Sequence, residues 1–330
     1  MAIGSGLGSQ LGIAPETTYG TFVAPTSFLL PVKTSLKKNK NTAQSAGIAS
    51  GRLMQLASGR VLTTRSAEGS IDLELTTRKM GLLLQALMGT TVTPTVLTSP
   101  AYSQVHTLAD TADKSLSIQV GVPEIGGTVR PYSYAGCKVT SAQFEFEPGS
   151  IPTATFEFDC QDVTETPPLA AASFPTGITP FVGAKTAIKI GTFGSEAAVV
   201  GVKKATVKID RALDTDRFYL GGAGLKAQPV SNGFVGISGT LSADFVAKAD
   251  FVDRFVSDAS FSLVLETVGA LIGGTNYETF RITLPGCFLD GDLPALDGPG
   301  VVSGDFPFVA LFDGTNQPKI EVISSESTLA

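Results

Sequence analysis

The residues of this chain with chemistry to offer are few. Glu145, Glu147, Glu157 and Asp159 fall at alternate positions of two neighbouring segments, 137–146 and 151–159, joined by an EPGS turn. Phe144, Phe146, Phe156 and Phe158 alternate with them, so a pair of strands carries phenylalanines on one face and acids on the other. Paired carboxylates are the apparatus of glycoside hydrolysis. Here they stand on flat strands without a His, Arg or aromatic clamp. Like charges facing each other across strands are destabilising, so the acidic face is expected to look onto water or basic partners.

The other reactive side chains are isolated. His106 is the only histidine and has no Cys or carboxylate at useful spacing, so it is expected on a loop surface. The three cysteines show no CxxC or metal spacing. Cys137 and Cys287 read as small buried core residues, without a disulfide framework, which fits a reducing compartment. Glycine clusters at Gly4 and Gly6 and at Gly221, Gly222 and Gly224 lack a strand–turn–helix setting, so they read as flexible loops. GxSxG, Walker, HExxH and dinucleotide motifs do not occur. General-base and nucleophile schemes lack their parts, so neither an enzyme nor a cofactor or metal is expected.

The elements that position these residues begin with 69–89, GSIDLELTTRKMGLLLQALMG. Ile71, Leu73 and Leu75 alternate with Asp72 and Glu74 as a strand, and Met80, Leu83, Leu84 and Leu87 form one apolar helical stripe. Thr77 is the expected N-cap and Gly89 the expected C′ glycine. The unit recurs 170 positions on. Leu241, Ala243 and Phe245 take the strand positions, and Val252, Phe255, Val256 and Ala259 the helical stripe. The same shift sets Val32-Lys33 on Val202-Lys203. Beyond the helix the offset is about 150: Gly136-Cys137 on Gly286-Cys287, the Pro148-Gly149 turn on Gly298-Pro299-Gly300, and Phe156 and Phe158 on Phe306 and Phe308. An internal repeat of this kind sets the whole architecture. The repeat core is Ile71, Leu73, Leu75, Leu83, Leu84, Leu241, Phe245, Phe255 and Val256.

The repeat divides the chain into an arm at 1–27, a first domain at 28–163, a proline- and alanine-rich linker at 164–180 and a second domain at 181–330. Length agrees, since 330 residues suit two domains. Hydrophobic residues at 43%, charged residues at 16% and 36 glycines suit strands and turns with many protein contacts. A formal charge of -6 argues against tight nucleic-acid binding. No signal peptide or membrane-spanning helix is expected, and an outer-membrane barrel would want aromatic girdles.

Two long connections stand out. The stretch 37–65 is polar, small and irregular, and holds Lys37, Lys38, Lys40, Arg52, Arg60 and Arg65 with no acid. Loops of that length are usually functional or disordered. It reads as a basic arm that docks on an acidic surface of another subunit and orders on assembly, with a solvated flexible loop or a contact to a nucleic-acid backbone as the alternatives. The stretch 90–115 reads as an insertion peculiar to the first copy.

The order of strand, long loop, strand, short helix, strand, hairpin and two final strands resembles the tail tube proteins of long-tailed bacteriophages. The PETTYG segment ending Glu16 to Gly20 is similar to the start of one group of them. The resemblance implies a mainly β fold: two tandem β-sandwiches, each with one flanking α-helix, whose sheets join into a closed β-barrel ring. It implies a virion protein, assembled in the host cytoplasm, that polymerises into stacked rings forming the conduit for DNA ejection. Three chains would close a pseudo-sixfold ring, with no membrane and no specific DNA contact. Glu145, Glu147, Glu157 and Asp159 would face the lumen, the 37–65 loop would join rings, and tape measure, tail terminator and baseplate proteins would be partners. Another tail component of the same lineage, such as a terminator, baseplate hub or injection-device tube protein, is the alternative. A carbohydrate-binding sandwich would want exposed aromatic platforms, and the chain has no tryptophan.

Overall fold

The protein is seen in a computed structural model that describes residues 4–291, 293 and 299–329. The first half holds β1 (Gln10–Pro15), β2 (Ser27–Leu29), β3 (Pro31–Thr34), β4 (Lys37–Gln44), β5 (Arg60–Glu74) and α1 (Gly81–Met88). It continues with β6 (Thr95–Thr98), β7 (Ala101–Thr107), β8 (Leu116–Pro123), β9 (Val129–Phe146), β10 (Thr153–Cys160) and β11 (Asp162–Thr164). The second half holds β12 (Thr186–Gly191), β13 (Ala197–Ala198), β14 (Val202–Asp210), β15 (Leu213–Asp214), β16 (Val230–Ser231) and β17 (Gly236–Asp244). It ends with α2 (Val252–Ser257), β18 (Phe261–Gly273), β19 (Asn276–Leu289), β20 (Ser303–Leu311) and β21 (Lys319–Ser324).

The fold is mainly β and consistent with a sandwich. In the first half one layer runs β2–β1–β8–β9–β11 and the other β3–β5–β10–β9, because the long β9 serves both. Their apolar faces share a core: Ile13 and Ile118 from one, Ile71, Phe144 and Phe156 from the other. The second half repeats the plan with β13–β12–β18–β19–β21 and β14–β17–β20–β19. One layer is continuous across the chain, since β9 pairs with β14, Phe144 opposite Val207. The sheet does not close on itself: among the described residues β3 and β4 pair only with β5, which leaves their outer edge open.

The pairing registers repeat as well as the strands. Ile71 lies opposite Phe156 and Leu241 opposite Phe306; Gly69 lies opposite Phe158 and Gly239 opposite Phe308. Leu116–Cys137 and Ile118–Tyr134 recur as Phe261–Cys287 and Leu263–Leu284, each with a shift between. β3 and β14 carry a bulge at the same place, which sets Lys33 opposite Asp72 and Lys204 opposite Ser242. The counterpart of Lys33 is therefore Lys204, one residue from the Lys203 that a uniform shift gives. Gly298, in the matched turn, lies outside the described residues.

Several expectations are corrected. Residues 1–27 are not an arm throughout: Leu11, Ile13 and Ala14 of β1 are buried between β2 and β8. Thr77 does not cap α1. Its N–H and hydroxyl meet Thr179, and Lys79 takes a left-handed φ of 68°, so the helix starts only at Gly81, behind Met80. Gly89 does end it, with φ 92° and its N–H on the Gln85 carbonyl. In place of one apolar stripe, every α1 residue except Gln85 is buried, because β9 and β7 both pack on it. In the second copy Leu241 is buried and Phe255 half-buried, but Phe245 and Val256 are 43% and 66% exposed. There Phe251 and Val252 turn inward, with the Phe251 ring stacked on Phe306 at 4.6 Å.

Candidate assembly surfaces

The alternation of β9 and β10 fixes the acidic face. Phe144, Phe146, Phe156 and Phe158 are buried, while Glu147 and Glu157 are exposed and Glu145 half-buried. Asp72 and Glu74 of β5 share that face across Thr155 and Thr153. Beyond β9 the face becomes mixed: Lys204 of β14 lies 3.5 Å from Glu145, and Lys208 sits opposite Gln143.

Asp159 keeps its place on the acidic face, since β10 runs in unbroken register along β5, but it is covered there and only 4% exposed. Its Oδ1 meets the Lys226 Nζ at 2.5 Å, and Lys226 is buried too. Burial raises the Asp159 pKa, and the Lys226 ammonium works against that rise. Lys226 comes from the glycine-rich 210–236 loop, which the second half lays against the base of β4 and β5: the Arg65 N–H donates to the Gly224 carbonyl.

The basic stretch is not irregular. β4 and β5 form a long two-stranded hairpin, Lys37 opposite Glu68 and Gln44 opposite Arg60. Lys37 pairs with Glu68 at 3.4 Å, and Lys38 and Arg65 converge on Asp162 at 3.4 and 2.8 Å. These three belong to the hairpin's base. Lys40, Arg52 and Arg60 are exposed along it, without an ion pair among the described residues. The tip carries Ile48, Leu53 and Met54 almost fully exposed, an apolar end that the polar reading of this stretch missed.

The 90–115 stretch is a hairpin too, not a loop. β7 adds to the edge of the second half, His106 opposite Ile320 of β21. His106 is thus fully buried, with neither ring nitrogen hydrogen-bonded, and burial pushes its pKa down to about 4. The cysteine reading is also corrected. Cys137 and Cys160 are both buried and disulfide-bonded, because the bulged register sets them side by side on β9 and β10; Cys287 is buried and free.

One device had no sequence signal beyond PETTYG. The Glu16 carboxylate is buried and accepts hydrogen bonds from Ser117 Oγ, Gly136 N and Gly20 N at 2.8, 2.8 and 3.0 Å. Ser262, the counterpart of Ser117, donates to Glu196 at 2.6 Å, and Gly194 N donates to the same carboxylate. Each half therefore ties its first turn down with a buried or half-buried acid. Among the described residues no group of three or more His, Cys, Asp or Glu is placed to hold a metal ion, and no helix is long and apolar enough to cross a membrane.

A sandwich with an unclosed sheet edge, a charged sheet face and a projecting hairpin is a structural subunit built for contact with other protein. The model of the phage tail tube protein family matches residues 6–310, and the chain belongs to that family. It is a structural component of the virion tail, in a family of tube proteins and not of enzymes. No curated protein matches it.

Proposed function

We propose that this chain polymerises into stacked rings that form the tail tube, and that phage DNA leaves the head through their lumen. The observation that carries the reading is the continuous layer β3–β5–β10–β9–β14–β17–β20–β19, which crosses both halves and leaves its β3–β4 edge open. An open edge of that kind templates pairing with another chain, and closure into a ring removes it. The repeated registers support two tube domains in one polypeptide, so three chains complete a pseudo-sixfold barrel.

The outward face of this layer, with Glu145, Glu147 and Glu157, lines the lumen. A lining that repels phosphate lets DNA slide without sticking. The β4–β5 hairpin, with Lys40, Arg52 and Arg60 along it and an apolar tip, bridges to the adjacent ring. Tape measure, terminator and baseplate proteins meet the tube at its interior and ends. Electron cryomicroscopy of tubes grown from the purified protein tests the reading: three chains per ring with these glutamates on the inner wall are expected. Six chains per ring, or glutamates on the outer wall, would refute it.

A further inference from the structure

The two layers of each half repeat in matching register, yet their exposure differs in a directed way. On the first half a groove opens beside the free β3–β4 edge, lined by Leu36, Val120, Val122, Tyr132, Tyr134 and Val163. Register gives each wall a counterpart in the second half. Val122 pairs with Arg130 as Thr267 pairs with Phe280, and Tyr132 pairs with Val120 as Ile282 pairs with Leu265. Val122 is 43% exposed and Tyr132 half-buried, whereas Thr267 and Ile282 are fully buried. Leu36 is half-buried and its counterpart Val207 fully buried.

The second half owes that cover to the first. β9 pairs along β14, and the Phe144 and Phe146 rings lie 5.7 and 6.5 Å from Phe280. The reverse holds on the other flank. Leu75 at the end of β5 is fully buried, with the Phe181 N–H from the second half bonded to its carbonyl. Its counterpart Phe245 is 43% exposed, beside Val246 at 56%. One chain thus carries a bare groove at its first end and a bare apolar face at its second. Each is the half of a junction whose complete form exists between β9 and β14.

We propose that the groove walled by Leu36, Val122 and Tyr132 is the seat for the end of β17 from a second copy of this chain, with Phe245 and Val246. The contact repeats between chains the junction made within one chain, head to tail. Charge agrees with that register. Arg211 donates its N–H to the Thr140 carbonyl across the internal junction. The counterparts of these two residues are Lys40 and Asp290, both exposed and of opposite sign. The inference rests on the ring reading above and adds its residues.

Cysteines at the Lys40 and Asp290 positions test it, because directly opposed strand residues stand at disulfide distance. In the Lys40→Cys/Asp290→Cys protein, oxidation after assembly is expected to link most chains into denaturant-stable oligomers, with neither single variant doing so. Both positions are exposed, so the fold is undisturbed, and the buried Cys287 does not compete. The same samples are imaged. Rings or tubes without cross-links overturn this interface and leave the tube reading standing. Cross-linked closed oligomers that never stack support the interface and count against the tube. Chains that stay single and unlinked overturn the interface as well.

Discussion

Cys287 faces Ala310 across the β19–β20 pair, in the register that holds Cys137 against Cys160 in the first half. The second half therefore keeps one partner of a disulfide and lacks the other. Ala310→Cys is expected to close a second bridge. It would span the same 23-residue separation as the first and stabilise the fold by about 3 kcal/mol if the backbone accommodates it unstrained. Thiol titration of the unfolded protein should fall from one free cysteine to none, with a higher, reductant-sensitive melting temperature. Two free thiols and an unchanged melting temperature would show that the registers are not equivalent.

His106 makes stability depend on pH. Its pKa is about 4 in the folded chain against 6.5 for the free side chain. The unfolded state thus takes up a proton that the folded state refuses. The contribution is whole above pH 6.5 and is lost as pH falls from there through 4, about 3 kcal/mol in all. His106→Leu should flatten the urea-unfolding profile between pH 6.5 and 5, where carboxylates titrate little. Because no other histidine exists, an unchanged slope in that variant would mean that the imidazole is not buried.

The buried pair of Asp159 and Lys226 ties the 210–236 loop to β10. Asp159→Asn leaves an ammonium buried without its partner and should cost about 3–5 kcal/mol. Asp159→Asn with Lys226→Met removes both charges and should recover most of that loss. Burial raises the Asp159 pKa in the fold, so its ionised form weighs against stability at neutral pH and that weight lifts as pH falls toward the raised value. Chemical denaturation of the three proteins decides. A double variant as unstable as the single one would show that the charge pair is not what holds the loop.

What could be read along the chain was the half-buried sheet. Ile71, Leu73 and Leu75 and the four phenylalanines of β9 and β10 each have one face on the core, so a period of two marks them. The repeat followed from the same signal. The β4–β5 hairpin gave none, because most of its residues are solvated on both sides and nothing in its composition alternates. β7 was hidden for another reason: His106 is buried by β21, from the far end of the chain, and local spacing carries no trace of that partner. Asp159 lies where alternation puts it, but Lys226, 67 residues away in the 210–236 loop, covers it, and Cys160 meets Cys137 only because the bulge in β9 shifts its partner by one.

The hairpin tip is expected to separate folding from stacking. Residues 46–56 make no contribution to the buried core, so replacing them with a short turn should leave the melting temperature within about 1 °C, a surface-scale change. Exposed Ile48, Leu53 and Met54 gain cover only from another subunit. The shortened chain should therefore form rings that sediment singly and not as tubes. Tubes of normal length from that variant would remove the hairpin from the contacts between rings.

The acidic lining predicts a transport defect without an assembly defect. Glu147 and Glu157 are exposed, and the Glu145–Lys204 pair at 3.5 Å is itself solvent-facing, so the pair contributes at most about 1 kcal/mol. Changing Glu145, Glu147 and Glu157 together to Lys should leave tubes of normal length. Every ring would then offer cations to the passing phosphates, and the DNA ejection rate should fall about tenfold in dilute buffer. Screening shortens the reach of those charges to roughly 3 Å at molar salt, so most of the rate should return as salt is added. The Gln triple variant removes repulsion without adding attraction and should lie between the two. Ejection by the Lys variant at the parent's rate in low salt, from tubes of normal appearance, would place these side chains away from the DNA.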